Sequence, residues 1–287
     1  MYFLAILRID AFIVVDSVVD VFHWTENNMI RLLRRSALHG ETQEMTATKT
    51  CLGVLTPSSN TALEPLTSAL AASAGRCSAH FSRFTVTEIS LAQAALNQFD
   101  DSKILAAAEL LADAKVDVIG WSGTAAGWRG FDCDRQLCER IEQRTGIKAT
   151  TAILALNELM QKLSVKKLAI VSPYTADVQQ CIVNNYRAAG VETTAHRHLN
   201  ISVNHRFALV EPEQLLGLIA EVIEEGAPDA VVTYCTNLHA AQLADQVERR
   251  WNVPLLDTVS TTVWGMLRAA GRSPADIKGW GRLFEVA

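Results

Sequence analysis

From residue 48 onward, short apolar runs alternate with longer stretches whose apolar positions recur every three or four residues. The first pattern fits strands buried on both faces and the second fits helices with one inward face. Residues 51–56 read as a strand, and after the turn Pro57-Ser58-Ser59-Asn60 a helix is expected over 61–74, with Gly75 placed to stop it. A strand-like run at 84–90 precedes an amphipathic helix over 102–114 and a buried strand at 116–121 that enters Ser122-Gly123-Thr124. Helix 129–143, a short strand at 148–151 and helix 153–163 follow. The alternation then resumes with strand 167–171 before Ser172-Pro173-Tyr174, helix 176–189, strand 191–199 and helix 211–225. An apolar strand ending at Cys235, helix 239–251, a short strand near 254–256 and a last helix over 259–270 complete it. This order predicts an α/β fold with mostly parallel sheets.

Two pairs of segments echo each other across the chain. The strand and turn at 52–60 match those at 168–174 in kind, and 116–124 matches 230–236. Both separations are on the order of a hundred residues, a usual domain length. The expectation is two pseudo-symmetric Rossmann-like domains, residues 48–150 plus 258–287 forming the first and 151–257 the second. In open α/β sheets ligands bind beyond the carboxyl ends of the strands, which places the active site in the cleft between the two domains.

Residues 1–47 do not share the pattern. Residues 4–22 are apolar, but Arg8, Asp10, Asp16 and Asp20 interrupt them, and charges there are too costly for a membrane span. Neither the basic start nor the small-residue cleavage site of a secretory signal is clear. The segment reads as an N-terminal extension, either a mis-called start upstream of a native Met45 or a docking segment.

With 287 residues, 49% of them hydrophobic, the chain can bury a large core. Its net charge of −5 is spread along the sequence without a basic block, which argues against a nucleic-acid partner. The six cysteines form no CxxC pair and do not cluster with histidines, so a reducing cytoplasm is the simpler setting than a disulfide or zinc framework. Neither a membrane nor a nucleic acid is expected as a partner. The expected partner is a small molecule, and the chain acts as a monomer or homodimer.

Cys235 is the cysteine placed for chemistry. It ends a strand and faces the start of the next expected helix, with Thr236 or Asn237 as N-cap, an environment that favours thiolate and binds anions. The alternative is a small buried hydrophobe, the commoner fate of a free cysteine. Four turns, at 57–60, 122–124, 172–174 and 235–237, lie at strand ends and offer backbone N–H groups and small hydroxyls. Such a cleft suits a carboxylate or an enolate oxyanion without a metal. Asn60 reads equally as the N-cap of helix 61–74, and Tyr174 as a packing ring with a wetted hydroxyl. His196, His198 and His205 read as solvated, and Cys133 and Cys138 as structural.

Pro57-Ser-Ser-Asn60, Ser122-Gly-Thr124, Ser172-Pro-Tyr174-Thr-Ala-Asp-Val178 and Tyr234-Cys-Thr236 resemble the aspartate/glutamate racemase superfamily. The nearest branches are arylmalonate decarboxylase and maleate cis-trans isomerase. Val247-Glu-Arg-Arg-Trp-Asn-Val-Pro254 and Thr261-Thr-Val-Trp264 follow the same pattern. The resemblance implies no metal or organic cofactor and, in the racemases and the isomerase, two cysteines facing each other across the substrate. Cys235 matches the second of these, whereas Gly123 stands where the first belongs, as in the decarboxylases. By the same resemblance Thr124, Tyr174 and the Thr236 amide would hold a carboxylate as its charge moves to an enediolate, with Pro57 in the first turn. Ala125 replaces the decarboxylases' serine, and Asn60 matches the isomerase side. The implied reaction is decarboxylation of a small substituted malonate-type acid, with one cysteine protonating the enediolate. The alternatives are maleate isomerase, a racemase of amino-acid or hydantoin type, and a non-catalytic dicarboxylate-binding protein.

Overall fold

The computed structural model describes residues 49–287, so the expectations for 1–47 and for a start at Met45 lie outside the described residues. The strands β1 (Thr50–Pro57), β2 (Cys77–Phe84), β3 (Val118–Trp121) and β4 (Ala149–Thr151) form one sheet in the order β2-β1-β3-β4, all pairs parallel. A second parallel sheet holds β5 (Lys167–Ser172), β6 (Glu192–His198), β7 (Ala230–Thr233) and β8 (Leu255–Asp257) in the order β6-β5-β7-β8. The second order is the first advanced by four strands. The sequence echoes fall on equivalent strands, β1 with β5 and β3 with β7. The longer helices are α1 (Leu63–Ser73), α2 (Asp101–Asp113), α3 (Asp132–Thr145), α4 (Ala152–Lys162), α5 (Ala176–Ala188), α6 (Pro212–Gly226), α7 (Ala244–Trp251) and α8 (Thr258–Ala269).

Central strands are apolar on both faces because helices cover both. Leu52, Val54 and Leu55 of β1 and Leu168, Ile170 and Val171 of β5 are fully buried. Each such side chain contributes roughly 1.5–3 kcal/mol through removal from water. The helix α8 leaves β8 of the second sheet and packs on β3, β4, α1 and α4. Glycine at 120 permits that approach, since a Cβ there would lie 2.3 Å from the Met266 sulfur.

Three expected elements differ. The strand expected at 84–90 lies at Cys77–Phe84. It is a half-buried edge strand whose polar residues (Ser78, His80, Ser82, Arg83) hide the apolar period, whereas Val86 and Ile89 are buried from irregular chain. The helix expected over 129–143 is broken into Ala126–Arg129 and α3, because Gly130 at φ 100° leaves helical space. The helix expected to begin at His239 begins at Ala244, after a turn and a 3-10 segment at Ala241–Leu243.

Two buried carboxyls brace the strand ends. Asp257 caps α8 by accepting from the Val259 and Ser260 amides, and it also accepts from the Thr233 hydroxyl at 2.8 Å. Asp134 of α3 accepts from the Thr151 hydroxyl of β4. Burial pushes the Asp134 carboxyl up to about 7, against the downward pull of Thr151 and Arg129. A folded pKa above the unfolded value of about 3.9 means that ionisation opposes folding between those two values. The penalty is absent below the unfolded pKa and complete above pH 7. Relative to the native protein, Asp134→Asn is expected to gain stability as pH rises from 4.5 to 8, by about 3 kcal/mol. Urea unfolding across that range measures it, and a pH-independent gap between the two proteins would reject it.

Candidate active site

Cys235 lies just beyond the end of β7 and is only 2% exposed. Its sulfur accepts a hydrogen bond from the Asn237 amide at 3.3 Å, and the Tyr174 hydroxyl also supports its charged form. The thiol shares a cavity of about 20 Å³ with residues from both sheets. Pro57 ends β1, Gly123, Thr124 and Ala125 follow β3, Tyr174 follows β5, and Thr236 follows Cys235 itself. Parallel pairing makes this meeting possible, because all these turns leave the same edge of their sheets.

Hydroxyl contacts join the two halves around the thiol. Thr124 Oγ1 and the Tyr174 hydroxyl lie 2.6 Å apart. Thr236 Oγ1 donates to the Ser122 carbonyl at 3.1 Å and receives the Asn60 amide at 3.3 Å. The main-chain N–H groups of Thr124, Ala125 and Thr236 donate to no protein acceptor among the described residues. A carboxylate or enediolate oxygen at this edge would therefore meet several unengaged donors.

The remaining wall is apolar apart from Asn204. Val86, Ile89, Phe99, Trp121 and Trp128 line the cavity, and no Lys or Arg does. Trp128 packs edge-on against Tyr174, with ring centroids 5.3 Å apart. The Trp121 indole occupies the space beside Gly123, where a Cβ would fall 2.0 Å from Trp121 Cζ2. Of the lining residues, Cys235 and Tyr174 alone carry titratable side chains.

Two sequence expectations are corrected. The thiol does not sit at a helix start favouring thiolate, and neither Thr236 nor Asn237 caps a helix, because residues 236–243 separate Cys235 from α7. Burial instead pushes the thiol up to about 12, outweighing the Asn237 amide and the Tyr174 hydroxyl; Asp257 adds to the rise. Burial also raises the Tyr174 hydroxyl well above its ordinary range. Both groups are therefore neutral near pH 7. The Asn60 side-chain oxygen accepts from the Ala62 and Leu63 amides at the start of α1, while its side-chain nitrogen donates to Thr236 Oγ1 at the edge of the cavity. His196 and His198 lie on β6, away from the cavity, and among the described residues no group of His, Cys, Asp and Glu is arranged to hold a metal.

The sequence profile of the arylmalonate decarboxylase family matches residues 52–284, nearly the whole described chain. The chain belongs to that family. It is 28% identical to the maleate isomerase of Pseudomonas putida over 247 residues, covering 82% of this chain and 97% of the relative. It is 27% identical to the arylmalonate decarboxylase of Bordetella bronchiseptica over 171 residues, covering 58% and 71% respectively. A crystal structure of a Pseudomonas putida maleate isomerase superposes with a TM-score of 0.76 at 27% identity, covering 82% of this chain and 98% of that one. A liganded double mutant of arylmalonate decarboxylase superposes with a TM-score of 0.72 at 20% identity, covering 84% and 100%, a likeness of fold. The fold is thus that of a two-domain family with decarboxylase and cis-trans isomerase members, within the wider aspartate/glutamate racemase-like superfamily.

Sequence reasoning missed Trp121, Trp128, Phe99, Val86 and Ile89 as site walls and Asn204 as a lining residue. Trp121 ends a strand immediately before the Ser-Gly-Thr turn, and that adjacency was the one available signal.

Two outcomes are expected. Gly123→Ala places a methyl group inside the Trp121 indole and should cost about 1–3 kcal/mol in urea unfolding; no change would show that Trp121 yields freely. With the thiol pKa near 12, iodoacetamide at pH 8 should alkylate Cys235 roughly a thousand-fold more slowly than an ordinary cysteine. Time-resolved peptide mass spectrometry reads that rate, and labelling as fast as that of a cysteine in an unstructured peptide would contradict a protonated buried thiol.

Proposed function

We propose that the protein is a cofactor-independent carboxy-lyase acting on a small substituted malonate-type acid. One observation carries this reading. Cys235 is a buried, protonated thiol on one side of a cavity whose other wall is apolar, and the indole of Trp121 covers Gly123, where a second thiol would stand. A single acid can deliver a proton to one face of a carbanion, whereas racemisation needs another acid or base opposite.

In the proposed reaction one carboxylate of the substrate lies against the Thr124 hydroxyl, the Tyr174 hydroxyl and the Thr236 amide, with Ala125 contributing its main-chain N–H and Pro57 shaping the turn. The C–C bond to the other carboxylate breaks, CO₂ leaves, and the electron pair enters the retained carboxylate as an enediolate. The S–H bond of Cys235 then breaks as a C–H bond forms at the α-carbon. The resulting thiolate, held by the Asn237 amide and the Tyr174 hydroxyl, recovers its proton from solvent. Donors aimed at such an oxyanion contribute roughly 3–4 kcal/mol each. The apolar wall receives the α-substituent. This chemistry needs no cofactor and no partner beyond the acid, and it suits a cytoplasmic monomer or homodimer in which residues 48–150 plus 258–287 face residues 151–257.

Maleate isomerisation is the second reading, and similarity favours it. The relative at 28% identity and 97% coverage is a maleate isomerase, and so are three further relatives at 22–23% identity. A cysteine-to-serine mutant of the Nocardia farcinica isomerase has been captured with a covalently bound succinylcysteine intermediate. In this chain that route would require the Cys235 thiol to ionise and add to the double bond, against the burial that keeps it protonated. Incubation with methylmalonate and with maleate in deuterium oxide, followed by NMR and CO₂ release, separates the two readings. Decarboxylation is expected to give 2-deuteropropionate of a single configuration from methylmalonate, and to be lost by at least a thousand-fold in Cys235→Ala. Fumarate formed from maleate without CO₂ from any malonate would replace the first reading with the second.

A further inference from the structure

We infer that a second cavity, bordered by Trp121 but not by Cys235, is a binding site for a small alkyl carboxylate, which Asp134 meets as hydrogen-bond donor and Arg129 as counter-ion. This site is separate from the thiol and stands whichever reaction Cys235 carries. The cavity has a volume of about 170 Å³, the share of roughly five or six water molecules. Phe99, Trp121 and Ala125 divide it from the Cys235 space, lining both.

Asp134 is the residue that marks the cavity. It lies in the first turn of α3 and is 2% exposed. Its Oδ2 accepts from the Thr151 hydroxyl, whereas Oδ1 has no partner among the described residues. A buried carboxyl oxygen left unpaired is costly unless something in the adjoining space meets it. The groups that face Asp134 are Arg129 from the short helix Ala126–Arg129, Thr151 from β4, Cys138 from α3, Tyr186 from α5 and Tyr234 beyond β7. Burial pushes the Cys138 thiol and both tyrosine hydroxyls upward, so all three are neutral near pH 7. Arg129 is the charge that remains. Burial also holds Asp134 at about 7, so at pH 6 it is a carboxylic acid with a proton to offer.

The rest of the lining sets the class of ligand. Arg129 is exposed, stacks 5.6 Å from the Phe99 ring and makes no ion pair among the described residues. Gln136 and Arg140 lie in the same wall. Ile104, Leu137 and the Trp121 indole, all buried, supply apolar surface. A cation near solvent, a proton donor at depth and an apolar wall suit a carboxylate with a short hydrocarbon tail. Phosphate or sulfate would leave that wall unfilled. A neutral carboxyl donating to a carboxylate makes a charge-assisted bond. The bound anion in turn disfavours ionisation of Asp134, so binding keeps the proton in place. Affinity is then full at pH 6 and falls as pH rises through 7, by roughly thirty-fold at pH 8.5.

The test is a calorimetric titration with propionate of the native protein, Asp134→Asn and Arg129→Gln, at pH 6 and 8.5, in buffers of differing ionisation enthalpy. The native protein is expected to bind with the pH dependence above and to take up about one proton per propionate at pH 8.5. The Asp134→Asn side chain still offers a donor, so affinity at pH 6 should persist while pH dependence and proton uptake vanish. Arg129→Gln should weaken binding at pH 6 by five-fold or more, and inorganic phosphate should bind the native protein at least ten-fold more weakly than propionate. Circular dichroism identifies a variant that has failed to fold; Arg129 is exposed, and its variant with the native pH profile decides if Asp134→Asn is lost. No saturable binding to the native protein at pH 6 overturns the inference. So does a pH dependence that survives in folded Asp134→Asn, which would move the site to another group. Phosphate binding as tightly as propionate overturns the carboxylate assignment.

Discussion

The side chain of Asn237 is the constraint on which the site rests. It is 1% exposed, and its oxygen accepts from the Thr61 and Ala62 amides, in the stretch leading from β1 to α1. Its nitrogen donates to the Asn204 carbonyl at 2.7 Å, and its main-chain N–H reaches the Cys235 sulfur. Asn204 in turn donates to Ser59, whose hydroxyl donates to the Val86 carbonyl. One amide group therefore ties the chain after β7 to the chain after β1 and to the segment that roofs the cavity. Each of these polar groups would cost about 1–3 kcal/mol if buried without a partner, so the network is satisfied as a unit or not formed.

With the loop after Cys235 held in this way, the thiol is surrounded by protein rather than by water. That enclosure decides its chemistry. A cysteine at an open helix start is a nucleophile in waiting; one enclosed among Tyr174, Trp121 and Phe99 keeps its proton and can give it to a strong base. An enediolate is such a base, and the unengaged amides at 124, 125 and 236 are positioned at the edge where its charge would gather.

Much of this was readable from the chain itself. The central strands announced themselves because a strand covered by helices on both faces is apolar throughout, as in residues 168–171 and 230–232. Their carboxyl-end turns could be read for the same reason: once the strands are parallel, the loops that follow them share an edge. The edge strand Cys77–Phe84 escaped notice because only its end is well buried and its polar residues resemble loop. The cavity walls escaped for a different reason. Trp121, Phe99 and Trp128 are apolar residues among many, and nothing in a sequence distinguishes a ring that fills core from one that borders a void. The protonation of Cys235 is likewise a product of tertiary enclosure, not of its neighbours along the chain.

The path of α8 has a consequence for biogenesis. This helix leaves the ribosome only after all eight strands described above, yet it packs on β3 and β4, strands made more than a hundred residues earlier. Until it emerges, the face of β3 that receives Met266 against Gly120 stays uncovered. The sheet translated first is therefore the one completed last. A nascent chain stalled before Thr258 presents sticky apolar strand surface to chaperones or to other nascent chains.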